Sequence, residues 1–157
     1  MCATPVRVLI VESDEPVRTG LRLALESADM QISETSTVAD GLRSFHETPA
    51  DVVIVDLDLP DGTASDLIRW LWRRVKRPPI ILTSTDFGAV CPVPLPPQPP
   101  SDSQMLMLAK PFSAKAVIAA IQRLMAQAGG SIQPPIVSPP TLLRRPSEWG
   151  DHSSATP

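Results

Sequence analysis

Cysteine is scarce in this chain: Cys2 and Cys91 are the only two. They lack metal-ligand spacing and make no disulfide framework, so a reducing compartment is the simpler setting. A dominant charge is lacking too. Fourteen Lys and Arg against seventeen Asp and Glu leave a net charge of −3. Nothing in that balance draws in nucleic acid. No apolar run is long enough for a signal peptide or a membrane span, so the expected location is the cytoplasm, with no membrane partner. No internal repeat is present. What remains is 157 residues, 43% hydrophobic and 20% charged, enough for one globular domain with extensions.

Proline is the surplus. Of 19 prolines, six fall between Pro92 and Pro100 and six more after Gln133. Those clusters mark where regular structure is expected to stop. Residues 1–130 are read as one domain with a Pro-rich loop at 86–103. Residues 131–157 are read as a disordered Pro- and Ser-rich tail, too poor in apolar residues to bury a core. Within it, Thr141-Leu-Leu-Arg-Arg145 and Trp149 are the only sticky residues. They are either incidental or a short motif that docks a partner or folds back on the domain.

Before the prolines, strand and helix patterns alternate. Val6–Val11, Met30–Glu34, Val52–Asp56, Ile80–Ser84 and Met105–Leu108 read as strands. The third, Val52-Val-Ile-Val-Asp56, is apolar throughout, as expected of a strand buried on both faces of a parallel sheet. Helical spacing follows the first strand (Val17, Leu21, Ala24, Leu25), with Ser13 or Asp14 as cap and Pro16 in the first turn. Thr37 with Asp40 resembles a capping box for a helix to about His46. Leu67, Ile68, Leu71, Trp72 and Val75 form the stripe of a third helix, with Arg69, Trp70, Arg73 and Arg74 on its other face and Pro78-Pro79 as its stop. Cations at a helix C-terminus account for that basic face better than a nucleic-acid surface does. Ser113 caps a last helix carrying Val117, Ile118, Ile121, Leu124 and Met125.

Polar residues sit at the strand ends: Glu12 after the first, Asp56 at the third, Thr83 at the fourth and Lys110 after the fifth. Right-handed crossovers bring all four to one edge of a parallel sheet, where ligands bind in open α/β folds. A carboxylate, a second acid, a hydroxyl and a lysine suit phosphoryl chemistry. The Asp56 carboxylate can attack phosphorus, a hard cation such as Mg²⁺ can neutralise charge, and the lysine and hydroxyl can bind phosphoryl oxygens.

With these residues in view, the chain resembles the receiver domains of bacterial two-component response regulators, over about residues 6–128. The matching stretches are Val8-Leu-Ile-Val-Glu-Ser-Asp-Glu-Pro-Val-Arg18, Asp51–Gly62, Ile81-Leu-Thr-Ser84 and Lys110-Pro-Phe112. The resemblance implies a flavodoxin-like (βα)₅ sandwich with a five-stranded parallel sheet, the fourth helix here replaced by the Pro-rich loop. It implies Asp56 as phosphoacceptor, Thr83 as switch hydroxyl and Lys110 as phosphate-contacting lysine. Glu12, Asp56 and the Asp58 carbonyl would hold a weakly bound Mg²⁺. A stand-alone receiver, not an enzyme, would take its phosphoryl group from a histidine kinase or phosphotransfer protein and signal to a downstream protein. The departures are Ser13, where the family has a second acid, and Met107, where it often has an aromatic. They favour the alternative, a pseudo-receiver that binds partners without ever carrying phosphate. A third reading compares Asp56-Leu-Asp58 and Asp61-Gly-Thr63 with the DxDGT motif of haloacid dehalogenase-type phosphatases. The inserted Leu-Pro and the position on the third strand count against it.

Overall fold

The computed structural model describes residues 4–62, 64–85 and 104–128. Five strands run in parallel: β1 (Arg7–Val11), β2 (Gln31–Thr35), β3 (Val52–Asp56), β4 (Ile80–Ser84) and β5 (Met105–Ala109). Their order is β2-β1-β3-β4-β5, the flavodoxin-like arrangement. Four helices are described: α1 (Glu15–Glu26), α2 (Val38–Glu47), α3 (Ala64–Trp72) and α4 (Ala114–Ala128). None is long and apolar enough to cross a membrane. The expected Pro-rich loop and tail, and the domain boundary at 130, lie outside the described residues.

Successive side chains of a strand point to opposite faces, so the sheet feeds two cores. Leu9, Val11, Val53, Val55 and Leu82 pack with Val38 and Phe45 of α2 and Leu67, Ile68 and Leu71 of α3. Val8, Ile10, Val52, Ile54 and Ile81 pack with Leu21 and Leu25 of α1 and Val117, Ile121 and Leu124 of α4. Every residue of β3 and β4 is buried, as two covered faces require.

The caps follow from the sequence. Asp14 caps α1, its Oδ1 accepting from Val17 N at 3.0 Å. Thr37 Oγ1 accepts from Asp40 N at 3.1 Å and donates to Asp40 Oδ2 at 2.9 Å. Ser113 Oγ accepts from Ala116 N at the start of α4.

The third helix differs from expectation. It ends at Trp72, well before Pro78-Pro79, and Val75 lies outside its buried stripe, fully exposed. The chain tightens there: Arg73 N and Arg74 N donate to the carbonyls three residues back, and Arg77 Nε closes the Trp72 carbonyl at 2.7 Å. Trp70, assigned to the solvated face, is half-buried against the core and meets Phe45 edge-on at 5.9 Å. Arg74 stacks over its ring at 3.6 Å, so tryptophan and arginine satisfy each other.

α2 crosses β1 closely at Gly41. A Cβ there would lie 3.0 Å from Val11 Cγ2. Gly41→Ala gains helix propensity of about 1 kcal/mol but overpacks a buried valine at about 1–3 kcal/mol. The expected outcome is a net loss of roughly 1 kcal/mol in urea unfolding, and a smaller loss from the same change when it is made in a Val11→Ala background. A Gly41→Ala protein more stable than the parent would mean the helix has room to move away.

Candidate phosphoacceptor site

The site is built at the carboxyl edge of the sheet, where β1 and β3 diverge to helices on opposite faces. Four neighbouring strands deliver one group each. Asp56 ends β3 in register with Thr83 of β4, and Leu57 N donates to Thr83 O at 2.9 Å, locking the two strand ends. Lys110 N donates to Ser84 O at 2.7 Å, and a cis peptide bond to Pro111 follows. Glu12 N donates to Thr35 O across the β1–β2 edge at 3.0 Å. The backbone thus sets all four positions before any side chain makes contact.

Lys110 sits at the centre. Its Nζ donates to Glu12 Oε2 at 2.8 Å and lies 3.1 Å from Asp56 Oδ1. The second contact is an ion pair without hydrogen-bond geometry, and the buried Asp56 Oδ1 has no hydrogen-bond partner among the described residues. Thr83 Oγ1 is also buried and has no hydrogen-bond partner among the described residues. Glu12 is only 1% exposed and Asp56 3%. The extra methylene of Glu12 therefore reaches inward. Its Oε1 accepts from Asp14 N at 3.0 Å, and its carbonyl accepts from Arg18 Nη1 at 2.8 Å.

One ammonium faces two buried carboxylates, so negative charge is in excess. Burial pushes the Glu12 carboxyl above the usual range, and the neighbouring Asp56 adds to this against the pull of Lys110. Burial alone would lower Lys110, but its contacts with Glu12 and Asp56 outweigh it and hold the ammonium above the ordinary lysine range.

The metal-binding expectation meets this geometry. Asp56 and Glu12 converge, but the Asp58 side chain is exposed. The Asp58 carbonyl accepts from Ser13 Oγ at 3.2 Å. Among the described residues no three His, Cys, Asp or Glu side chains group to hold a metal. The donor set is all oxygen and suits a hard cation. It is one acid short, and both Glu12 carboxylate oxygens are already bonded.

Asp61, weighed from the sequence as part of a phosphatase-like motif, has a structural role here. Its carboxylate accepts from Val38 N at 2.8 Å and Ala39 N at 3.0 Å. Those two bonds hold its carboxyl below the usual range. It ties the loop after β3 to the N-terminus of α2. With Asp61 so engaged and Asp58 pointing outward, the two do not form a phosphatase acid pair with Asp56. Thr63 lies outside the described residues. Neither Arg18 nor Asp61 could be assigned from sequence, since their partners are backbone groups brought near by folding.

Comparison with known proteins agrees with this architecture. KDP operon transcriptional regulatory protein KdpE of Escherichia coli K12 is 39% identical over 77 residues, 49% of this chain and 34% of that protein. Photosynthetic apparatus regulatory protein RegA of Rhodovulum sulfidophilum is 38% identical over 84 residues, 53% of this chain and 45% of that protein. The chain thus spans under half the length of these two relatives. Among solved structures, the signal receiver domain of a Luxo repressor protein from Vibrio parahaemolyticus superposes with a TM-score of 0.69 at 19% identity, covering 80% of this chain and 94% of that one. Chemotaxis response regulator CheY4 of Vibrio cholerae gives 0.64 at 21%, covering 77% and 99%. These two likenesses speak for the fold. The family model of the response regulator receiver domain matches residues 8–91, more than half of the 157 residues, and the chain belongs to that family.

Proposed function

We propose that this receiver domain takes a phosphoryl group on Asp56 from a histidine kinase or phosphotransfer protein, as a module of a two-component phosphorelay. The observation that carries this reading is the Asp56 carboxylate. It is buried at the end of the central strand, its Oδ1 pairs with Lys110 at 3.1 Å, and neither that oxygen nor the Thr83 hydroxyl on the neighbouring strand has a hydrogen-bond partner among the described residues.

In the transfer, an Asp56 oxygen attacks the phosphorus of a phosphohistidine. The O–P bond forms as the donor's P–N bond breaks, and the electron pair returns to the imidazole. Asp56 loses its charge to the acyl phosphate. Lys110 then exchanges its pairing with Asp56 for a phosphoryl oxygen, still anchored by Glu12. Thr83 supplies a hydroxyl donor that no described residue engages. Mg²⁺, held by Asp56, Glu12 and the Asp58 carbonyl, would supply charge neutralisation on the phosphoryl oxygens. With Ser13 in place of an acid, that binding is weak.

Ser13 and Lys110 also favour a second reading. The ammonium already bridges both carboxylates, and Ser13 Oγ already satisfies the Asp58 carbonyl. A pseudo-receiver that engages partners without phosphate needs no more than this closed arrangement. Incubation with acetyl phosphate and Mg²⁺, read by intact mass, separates the two. A single phosphoryl adduct on the parent chain and none on Asp56→Asn is the expected result. An unmodified parent chain would leave the pseudo-receiver.

A further inference from the structure

The loop after β3 carries the Asp58 carbonyl, and its ends are fixed in different ways. At the near end Leu57 N donates to Thr83 O at 2.9 Å, which ties the loop to the sheet. In the middle Leu59 is buried in the same core as Val38. At the far end the anchor is a charge. Asp61 Oδ1 accepts from Val38 N at 2.8 Å and Oδ2 from Ala39 N at 3.0 Å, 23 and 22 residues back in the chain. Both N–H groups belong to the first turn of α2, where the helix dipole favours a carboxylate. Hydrogen bonds to an ionised acceptor are also the stronger kind. Gly62 follows against the same helix, where a Cβ would lie 3.6 Å from Val38 Cγ2. Between these anchors Asp58 is exposed, and Ser13 Oγ donates to its carbonyl at 3.2 Å.

We propose that Asp61 is a positioning residue for the metal: by clamping the loop to α2 it holds the Asp58 carbonyl in place for Mg²⁺ without touching the ion. The inference rests on the proposed function, in which that carbonyl is a metal ligand. Capping alone does not account for Asp61, because α2 already has a local cap in Thr37, whose Oγ1 accepts from Asp40 N at 3.1 Å. What Asp61 adds is the tether between two distant segments. One carboxylate reaches both N–H groups, an oxygen on each, so the tether is held at two points. Mg²⁺ demands near-octahedral geometry, and a ligand on a loose loop meets that demand poorly. With Ser13 in place of an acid, the neutral carbonyl is a larger share of what the protein offers the ion.

The test is a Mg²⁺ titration of the full chain, followed by the backbone amides around Asp56 and Asp58. Asp61→Ala should raise the Mg²⁺ Kd about tenfold, the usual effect of losing a group that orients a metal ligand. Asp61→Asn keeps an oxygen for one N–H and loses the charge. Its Kd should fall between those of the parent and Asp61→Ala, and it carries the test if the alanine variant folds poorly. Thr37→Ala removes the local cap at the same helix end and leaves Asp61 in place. It should lower stability in urea with the Kd unchanged. Phosphorylation by acetyl phosphate should slow in both Asp61 variants at low Mg²⁺ and return to the parent rate at saturating Mg²⁺. A parent-like Kd in both Asp61 variants would overturn the proposal. So would an equal loss in Thr37→Ala, which would assign the effect to the helix end. In a parent chain that binds Mg²⁺ but takes no phosphoryl group, a raised Kd in the variants still supports the inference while the proposed function falls. Parent amides indifferent to Mg²⁺ would remove both.

Discussion

Lys110→Met lowers stability by about 3 kcal/mol at neutral pH, the expected cost of breaking a buried ion pair from one side. The reason is what it leaves behind. Glu12 and Asp56 are both almost wholly buried, and Lys110, with a side chain 15% exposed, is the cation described between them. Methionine fills similar space without the charge. The dependence on pH identifies the cause. A carboxyl whose folded pKa is raised, as that of Glu12 is, contributes stability that is complete below its unfolded pKa and is lost as pH rises through the folded value. Removing Lys110 raises it further, so the variant's deficit grows from mildly acidic to neutral pH and shrinks on acidification as Glu12 takes up its proton. Lys110 itself has a raised pKa. Its contribution is present below the ordinary lysine value and is lost as pH rises through the folded value, so the deficit should also close at high alkalinity. Urea unfolding at pH 5, 7.5 and 11 measures all of this. Adding Glu12→Gln to Lys110→Met should recover more than half of the loss. An equal deficit at all three pH values, with no recovery in the double variant, would assign the effect to packing.

Ser13→Asp should raise Mg²⁺ affinity about tenfold, since an added carboxylate ligand and its charge act directly on a hard cation. Ser13 is exposed, and its hydroxyl already reaches the Asp58 carbonyl at 3.2 Å, so a carboxylate at this position starts beside the expected ligands. A third acid also changes the contest for Asp56. Lys110 is shared among more anions, and a divalent cation competes with it on better terms. Phosphorylation by a small donor should then accelerate in the variant at low Mg²⁺. The direct readout is a Mg²⁺ titration of the backbone amides around Asp56 and Asp58, which needs no phosphotransfer. Equal affinity in parent and variant would show that position 13 does not face the metal. Arg18, which donates to the Glu12 and Ser13 carbonyls, keeps the loop in place in both proteins.

Much of this was legible in the residues themselves. The apolar run Val52–Val55 ending in Asp56, and the polar residue after each of four strands, determine a parallel sheet with its chemistry at one edge. Strand pleating and crossover handedness leave little choice once the strands are known. The caps Asp14, Thr37 and Ser113 were legible too, because a cap and its target lie within three residues. What the tertiary structure alone decided are contacts between residues far apart in sequence. Lys110 bridges Glu12 as well as Asp56, Ser13 meets the Asp58 carbonyl, and Asp61 caps a helix that begins 23 residues before it. The end of α3 at Trp72 belongs with these, since stripe periodicity runs on to Val75 while the turn toward β4 ends the helix earlier. Local spacing carries a residue's role only as far as its partners are local. A buried charge takes its state from every other charge that folding brings within a few ångströms.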